Sequence, residues 1–189
     1  HACVQGILRV PIQAVAVDGG HAYVALGDAG LSIVDAGDPD SPVGLGVIDQ
    51  RQGLYSASDV SARAGVAYVI DPLNSRLLTV STDHPSTPRI TGSLALDIVP
   101  LSLEVAFPQA FVGSRRALPG ASLAIVDVSR PDKPVLVATA ALPAASIRDI
   151  AVAGSRAYLM ADPPYCILSD ILALDISDPA APRLLDRDA

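Results

Sequence analysis

Three acidic residues stand at one place in a phrase that recurs along the chain: Asp59, Glu104 and Asp149, with Ala14 at that place in the first copy. Carboxylates that converge from neighbouring strands have three uses. They hold a hard cation such as Ca²⁺, which takes oxygen ligands. They accept backbone N–H bonds from the next strand. With Arg63 and Arg148 beside them, they also make the one set from which a hydrolase or lyase would draw its acid and base. Elsewhere the chemistry is thin. Asp35, Asp38 and Asp40 lack the twelve-residue pattern and closing Glu of a Ca²⁺ loop, so turn capping accounts for them. His1, His21 and His84 lack a nucleophile in a recognisable motif, and G-x-S-x-G and C-x-x-C are both absent. Gly19-Gly20 joins two strands rather than cradling a phosphate. The expected metal and catalytic sets are therefore empty and no cofactor is required, with Ca²⁺ at Asp59, Glu104 and Asp149 as the one candidate.

The elements that must position these acids are set by a repeat. LAIVDVSRPDKPVLVATAAL at 123–142 is an apolar run, an Asp, a Pro-bracketed turn and a second apolar run, and the phrase returns at 31–48, 77–94 and 172–188. Its closing prolines, Pro42, Pro88, Pro134 and Pro182, are spaced 46, 46 and 48. An upstream aromatic, Tyr23, Tyr68, Phe111 and Tyr158, keeps a similar period and reads as a core position in each copy. A period of about 40–50 residues is that of a propeller or solenoid. Each copy reads as four short strands, in the last copy about 147–153, 156–161, 170–177 and 183–188. In the turn, Asp and Ser side chains satisfy nearby N–H groups and the prolines preset φ.

The phrase I-V-D-V-S-x-P-x-x-P-V-L-V, preceded by R-D-I-A-V-x-G-x-x-A-Y, resembles the LVIVD-repeat β-propeller proteins of bacteria and archaea. Leu123–Val137 and Arg148–Tyr158 carry it best, and the likeness spans about 11–188. It implies a propeller at the cell surface or exported, and no reaction. The second copy departs most, with Ser81 where the others have Asp35, Asp127 and Asp175. In the third copy Glu104 precedes Phe111 by two residues fewer than Asp149 precedes Tyr158, which reads as a shortened hairpin.

The expected fold is all-β: a β-propeller of four-stranded blades with four repeats visible, either a small closed ring or an arc of a larger one. A single domain covers 1–189, with a lead strand in 1–10 and repeats at about 11–53, 54–98, 99–142 and 143–189. The net charge of −7 and the lack of a basic cluster beyond Arg115-Arg116 exclude a nucleic-acid or anionic-membrane binder. No apolar run is long enough for a spanning helix. Cys3 precedes the first repeat and Cys166 lies in the last. In a closed ring those places adjoin, and a disulfide there would fasten it; the alternative is two unrelated thiols. Two long excursions, Ser114–Ala121 and Asp162–Asp170, share one face, where repeat proteins place binding residues. They offer Arg115, Arg116 and Tyr165. The expected function is a non-enzymatic interaction or scaffolding module, extracellular, cell-surface or periplasmic, with a protein or surface glycan as partner. The alternatives are a propeller enzyme with a channel-mouth acidic site, and a self-assembling subunit of a larger surface or filament structure.

Overall fold

A computed structural model describes residues 11–115, 120–163 and 169–185. They form sixteen strands in four antiparallel sheets and no helix. The first blade holds β1 (Ala14–Asp18), β2 (His21–Ala25), β3 (Leu31–Asp35) and β4 (Val43–Ile48). The second holds β5 (Asp59–Arg63), β6 (Val66–Asp71), β7 (Arg76–Ser81) and β8 (Arg89–Ala95). The third holds β9 (Pro100–Ala106), β10 (Gln109–Ser114), β11 (Ala121–Asp127) and β12 (Val135–Leu142). The fourth holds β13 (Ser146–Ala153), β14 (Arg156–Asp162), β15 (Asp170–Asp175) and β16 (Arg183–Leu184). Each sheet runs up and down in sequence order, and the first strands pack in succession, β1 on β5, β5 on β9 and β9 on β13. This is propeller architecture.

A strand side chain alternates between the two sheet faces, so every inner sheet must be apolar on both. Tyr23, Ile33, Val69 and Leu78 join blades one and two. Tyr68, Leu77, Val112 and Val126 join two and three. Phe111, Ile125, Leu159 and Leu172 join three and four. The repeated aromatic of blades one to three thus faces the following blade. Tyr23, Tyr68 and Phe111 are each 2% exposed. Tyr158 is 39% exposed, which corrects its reading as a core residue: among the described residues no blade follows the fourth. On the far side of blade one, Val15 and Val17 are exposed as well. The described residues form an open arc, not a closed four-bladed ring.

The Pro-bracketed turn does more than set register. Asp35 Oδ1 accepts from Gly37 N at 2.9 Å, Asp127 Oδ1 from Ser129 N at 2.8 Å and Asp175 Oδ1 from Ser177 N at 2.9 Å. Ser81 Oγ makes the same bond to Asp83 N at 3.4 Å. The turn then packs on the outer strand of the preceding blade. A Cβ at Gly46 would lie 2.8 Å from Pro88 Cδ, and one at Gly92 would lie 2.9 Å from Pro134 Cδ. Thr79 Oγ donates to Pro131 O at 2.5 Å across the same joint. In blades one to three the third and fourth strands share a register shift, at Ile33/Val34, Thr79/Val80 and Ile125/Val126. Such a bulge sharpens the local twist.

Candidate functional site

The acids at the axis are tied to backbone. Asp59 opens β5. Its Oδ1 accepts from Val60 N at 2.8 Å, and its Oδ2 accepts from Leu103 N of β9 at 2.8 Å. The carboxylate therefore clasps two neighbouring first strands. Burial pushes Asp59 up to about 6, helped by the nearby Asp149 and Glu104 charges and opposed by the two backbone donors. Burial, then Asp149, raises Glu104 as well.

Glu104 does not occupy the place of Asp59 and Asp149. Asp59 pairs with Ile70 and Asp149 with Met160, each two residues past the blade's aromatic. The residue so placed in blade three is Ser102, opposite Gly113, while Glu104 lies opposite Phe111. The hairpin is not shortened either. All four close on a two-residue turn, at Asp18↔His21, Arg63↔Val66, Ala106↔Gln109 and Ala153↔Arg156. Ser102 performs a clasp of its own, its Oγ donating to Ile147 O of β13 at 2.9 Å. Asp149 Oδ1 takes Ile150 N at 2.9 Å, as Asp59 takes Val60 N.

The residues that would have assisted an acidic catalytic set are dispersed. Arg63 sits at the opposite end of β5 from Asp59, with its guanidinium 5.6 Å from the Phe107 ring centroid. Arg148 Nε pairs with Asp162 Oδ2 at 2.5 Å. The Ser146 hydroxyl, then Arg148, hold the Asp162 carboxyl below its ordinary value. Among the described residues no group of three or more His, Cys, Asp or Glu is placed to hold a metal.

A cavity of about 350 Å³ lies where the first strands begin. Gln13 and Asp28 of blade one, Ser56, Ser58 and Pro72 of blade two, and Arg115 of blade three line it. Arg115 follows β10 and its N–H donates to Val99 O at 2.7 Å. Gly27 and Ala57 exchange two backbone bonds of 2.9 Å, which pins the β2–β3 loop to the entry of blade two. The Ser58 hydroxyl is buried without a hydrogen-bond partner among the described residues. Arg116, Tyr165, Cys3 and Cys166 lie outside the described residues, as does the lead strand in 1–10.

Sequence reading passed over Tyr55, which is 44% exposed at the entry to blade two. Arg76 lies 5.9 Å from its ring centroid and pairs at 2.9 Å with the fully buried Asp71. Arg76 also donates to Gly53 O, and Tyr55 N donates to Asp71 Oδ2 at 3.4 Å. A buried ion pair thus fixes the segment that presents Tyr55. Its signal in the sequence was negative: Tyr55 falls outside the 43–47 residue rhythm of the core aromatics.

Comparison with solved structures agrees with the architecture. The chain is similar to hydrazine synthase of Kuenenia stuttgartiensis, at 11% identity and TM-score 0.70, over 98% of this chain and 53% of that one. It is similar to the computationally designed Ika8 protein, at 11% identity and TM-score 0.66, over 88% of this chain and 46% of that one. A structure of the nidogen/laminin complex matches at 11% identity and TM-score 0.64, over 93% of this chain and 64% of that one. The chain thus spans about half the length of the first two. At such identities the likeness concerns fold alone. Comparison with curated proteins gives no match. The sequence itself matches the LVIVD repeat over residues 12–49, 117–141 and 146–187, leaving the second, most divergent copy unmatched. The chain belongs to the LVIVD-repeat family of β-propeller proteins.

Proposed function

We propose that this chain is a non-enzymatic interaction module, displayed outside the cytoplasm, which receives a protein partner on the loop face around Arg115. One observation carries the reading: a cavity of about 350 Å³ gathers polar side chains from three blades, while the half-buried acid Asp59 has both carboxylate oxygens engaged by backbone N–H groups. A perturbed acid is a mark of active sites. Here burial and two like charges account for it, and Asp59 does not line the cavity. A propeller neighbour, nidogen, is seen in complex with laminin, which is the kind of use proposed. Export is supported by the family likeness.

The test is affinity capture from surface and secreted fractions of the producing cells. It compares the unaltered chain with Arg115→Glu and Asp28→Lys, and with Arg63→Glu at the far end of β5 as control. A partner lost with the first two and kept with the third supports the proposal. A partner indifferent to both loop-face changes contradicts it, as does a turnover abolished by Asp59→Asn in a folded protein.

A further inference from the structure

We infer that a cavity at the joint of blades two and three binds a small carboxylic acid with an apolar body, its carboxylate held by Arg63 and the Tyr68 hydroxyl. The inference starts from positions that are equivalent at successive joints. At the first joint, Tyr23 Oη shares a hydrogen bond of 3.1 Å with Thr82 Oγ1, and Gly65 N donates to Asp18 Oδ2 at 3.3 Å. Tyr68 is the counterpart of Tyr23, and Arg63 that of Asp18, each placed alike relative to a two-residue hairpin turn. Thr82 N donates to Gly65 O and Val128 N to Pro108 O, so Val128 stands in the place of Thr82 and Pro108 in that of Gly65. Val128 has no hydroxyl for Tyr68, Pro108 has no N–H, and Arg63 is no acceptor. Both polar bonds of the first joint are therefore missing from the second. At the third joint Phe111 and Ile176 take the same places, and neither carries a hydroxyl. Among the described joints, the second alone sets a tyrosine against an apolar residue.

A cavity of about 300 Å³ lies at this joint, with Arg63, Val66, Tyr68, Phe107, Ser129 and Pro131 in its lining. Tyr68 is 2% exposed, and its hydroxyl has no hydrogen-bond partner among the described residues. Burial pushes that hydroxyl up from its ordinary value and the Arg63 charge opposes the rise, so the two groups lie within electrostatic reach. Arg63 has no ion-pair partner among the described residues, and its guanidinium lies 5.6 Å from the Phe107 ring centroid. An arginine stacked on a ring keeps its in-plane N–H groups free for the two oxygens of a carboxylate. A buried hydroxyl left unpaired is costly, and a carboxylate oxygen relieves that cost at Tyr68. The Ser129 hydroxyl is engaged with Asp127 and is no part of the set. One cation and one hydroxyl suit a singly charged group, whereas a phosphate finds no second cation in the lining. Val66, Phe107 and Pro131 supply apolar walls for a ring or a short chain. The volume matches the lower bound of roughly 300 Å³ for ligand pockets. The site lies at the turn end of the first strands, away from the cavity around Arg115. It is thus independent of the loop-face reading and of whatever flanks blades two and three.

The experiment titrates phenylacetate into the isotope-labelled chain and follows the Val66 and Ser129 amides by NMR, with acetate, benzyl alcohol and benzylammonium as comparison probes. Phenylacetate is expected to bind saturably, acetate and benzyl alcohol more weakly, and benzylammonium not at all. Arg63→Gln and Tyr68→Phe are each expected to weaken phenylacetate binding about tenfold or more, the scale of a hydrogen bond to a charged group. Val128→Thr gives Tyr68 the partner that Tyr23 has, and it too is expected to weaken binding. Circular dichroism confirms that each variant is folded; Arg63 is exposed, so Arg63→Gln keeps the test decisive if a core variant folds poorly. No saturable shift with phenylacetate, equal binding by Arg63→Gln, or benzyl alcohol or benzylammonium binding as tightly as phenylacetate would overturn the proposal. So would unchanged binding in both Tyr68→Phe and Val128→Thr.

Discussion

Asp59 Oδ2 accepts a hydrogen bond from Leu103 N at 2.8 Å and so ties the first strand of blade two to the first strand of blade three. The same carboxyl is pushed up to about 6 by burial and by Asp149 and Glu104. The sign of its effect on stability follows. The folded pKa lies above the ordinary 3.8, so between about 4 and 6 the folded state binds more protons than the unfolded one. Stability contributed by the protonated form is present below 3.8 and is lost as pH rises through about 6. Thermal unfolding is expected to show a melting temperature that falls from pH 5 to pH 7, with a smaller fall in Asp59→Asn. An equal fall in the variant would place the effect elsewhere.

Two aromatics at equivalent positions are expected to differ sharply. Tyr68→Ala removes a ring buried between blades and costs about 3–5 kcal/mol in denaturant unfolding. Tyr158→Ala, at the open end of the described arc, costs less, about 1 kcal/mol, because the residue is already 39% exposed.

Of the ion pairs, burial decides which matters. Arg76→Ala leaves the fully buried Asp71 without its cation, and removing one partner of such a pair costs roughly 3–5 kcal/mol. Arg130→Ala breaks a pair whose side chains are 69% and 62% exposed, where losses stay within about 1 kcal/mol. Chemical denaturation of both variants checks the contrast.

The blades were legible because their signal is repetitive: apolar runs of strand length, a Pro-bracketed turn and an aromatic all recur at one period. The turn Asp was legible because a side chain that caps its own turn needs no distant partner. What failed was register. Glu104 was matched to Asp59 by residue type, whereas the two-residue hairpin turn puts Ser102 in that place. A one-strand offset of two residues keeps the same sheet face, so alternation could not reveal it. Tyr158 failed for another reason: its burial depends on a following blade, and sequence likeness among the four copies says nothing about which copy stands at the end. The cavity around Arg115 was half legible. The excursion announced a loop, but Gln13, Asp28 and Ser58 meet it only once three blades are stacked.

The joint between turn and outer strand predicts a glycine requirement. Gly92 faces Pro131 and Pro134 of the next blade so closely that an added Cβ would lie 2.9 Å from Pro134 Cδ. Gly92→Ala is expected to cost about 1–3 kcal/mol by overpacking. Gly44→Ala, where a Cβ meets nothing within 4 Å, serves as the control in the same unfolding assay.

The claim that Asp59 fastens blades two and three together, rather than performing chemistry, is tested most directly by NMR titration of its carboxyl alongside the Leu103 amide. The account predicts a carboxyl titrating near 6 and a Leu103 amide shift that follows the same midpoint, because one proton controls both. A carboxyl titrating near its ordinary 3.8, with a Leu103 amide that does not respond, would contradict it.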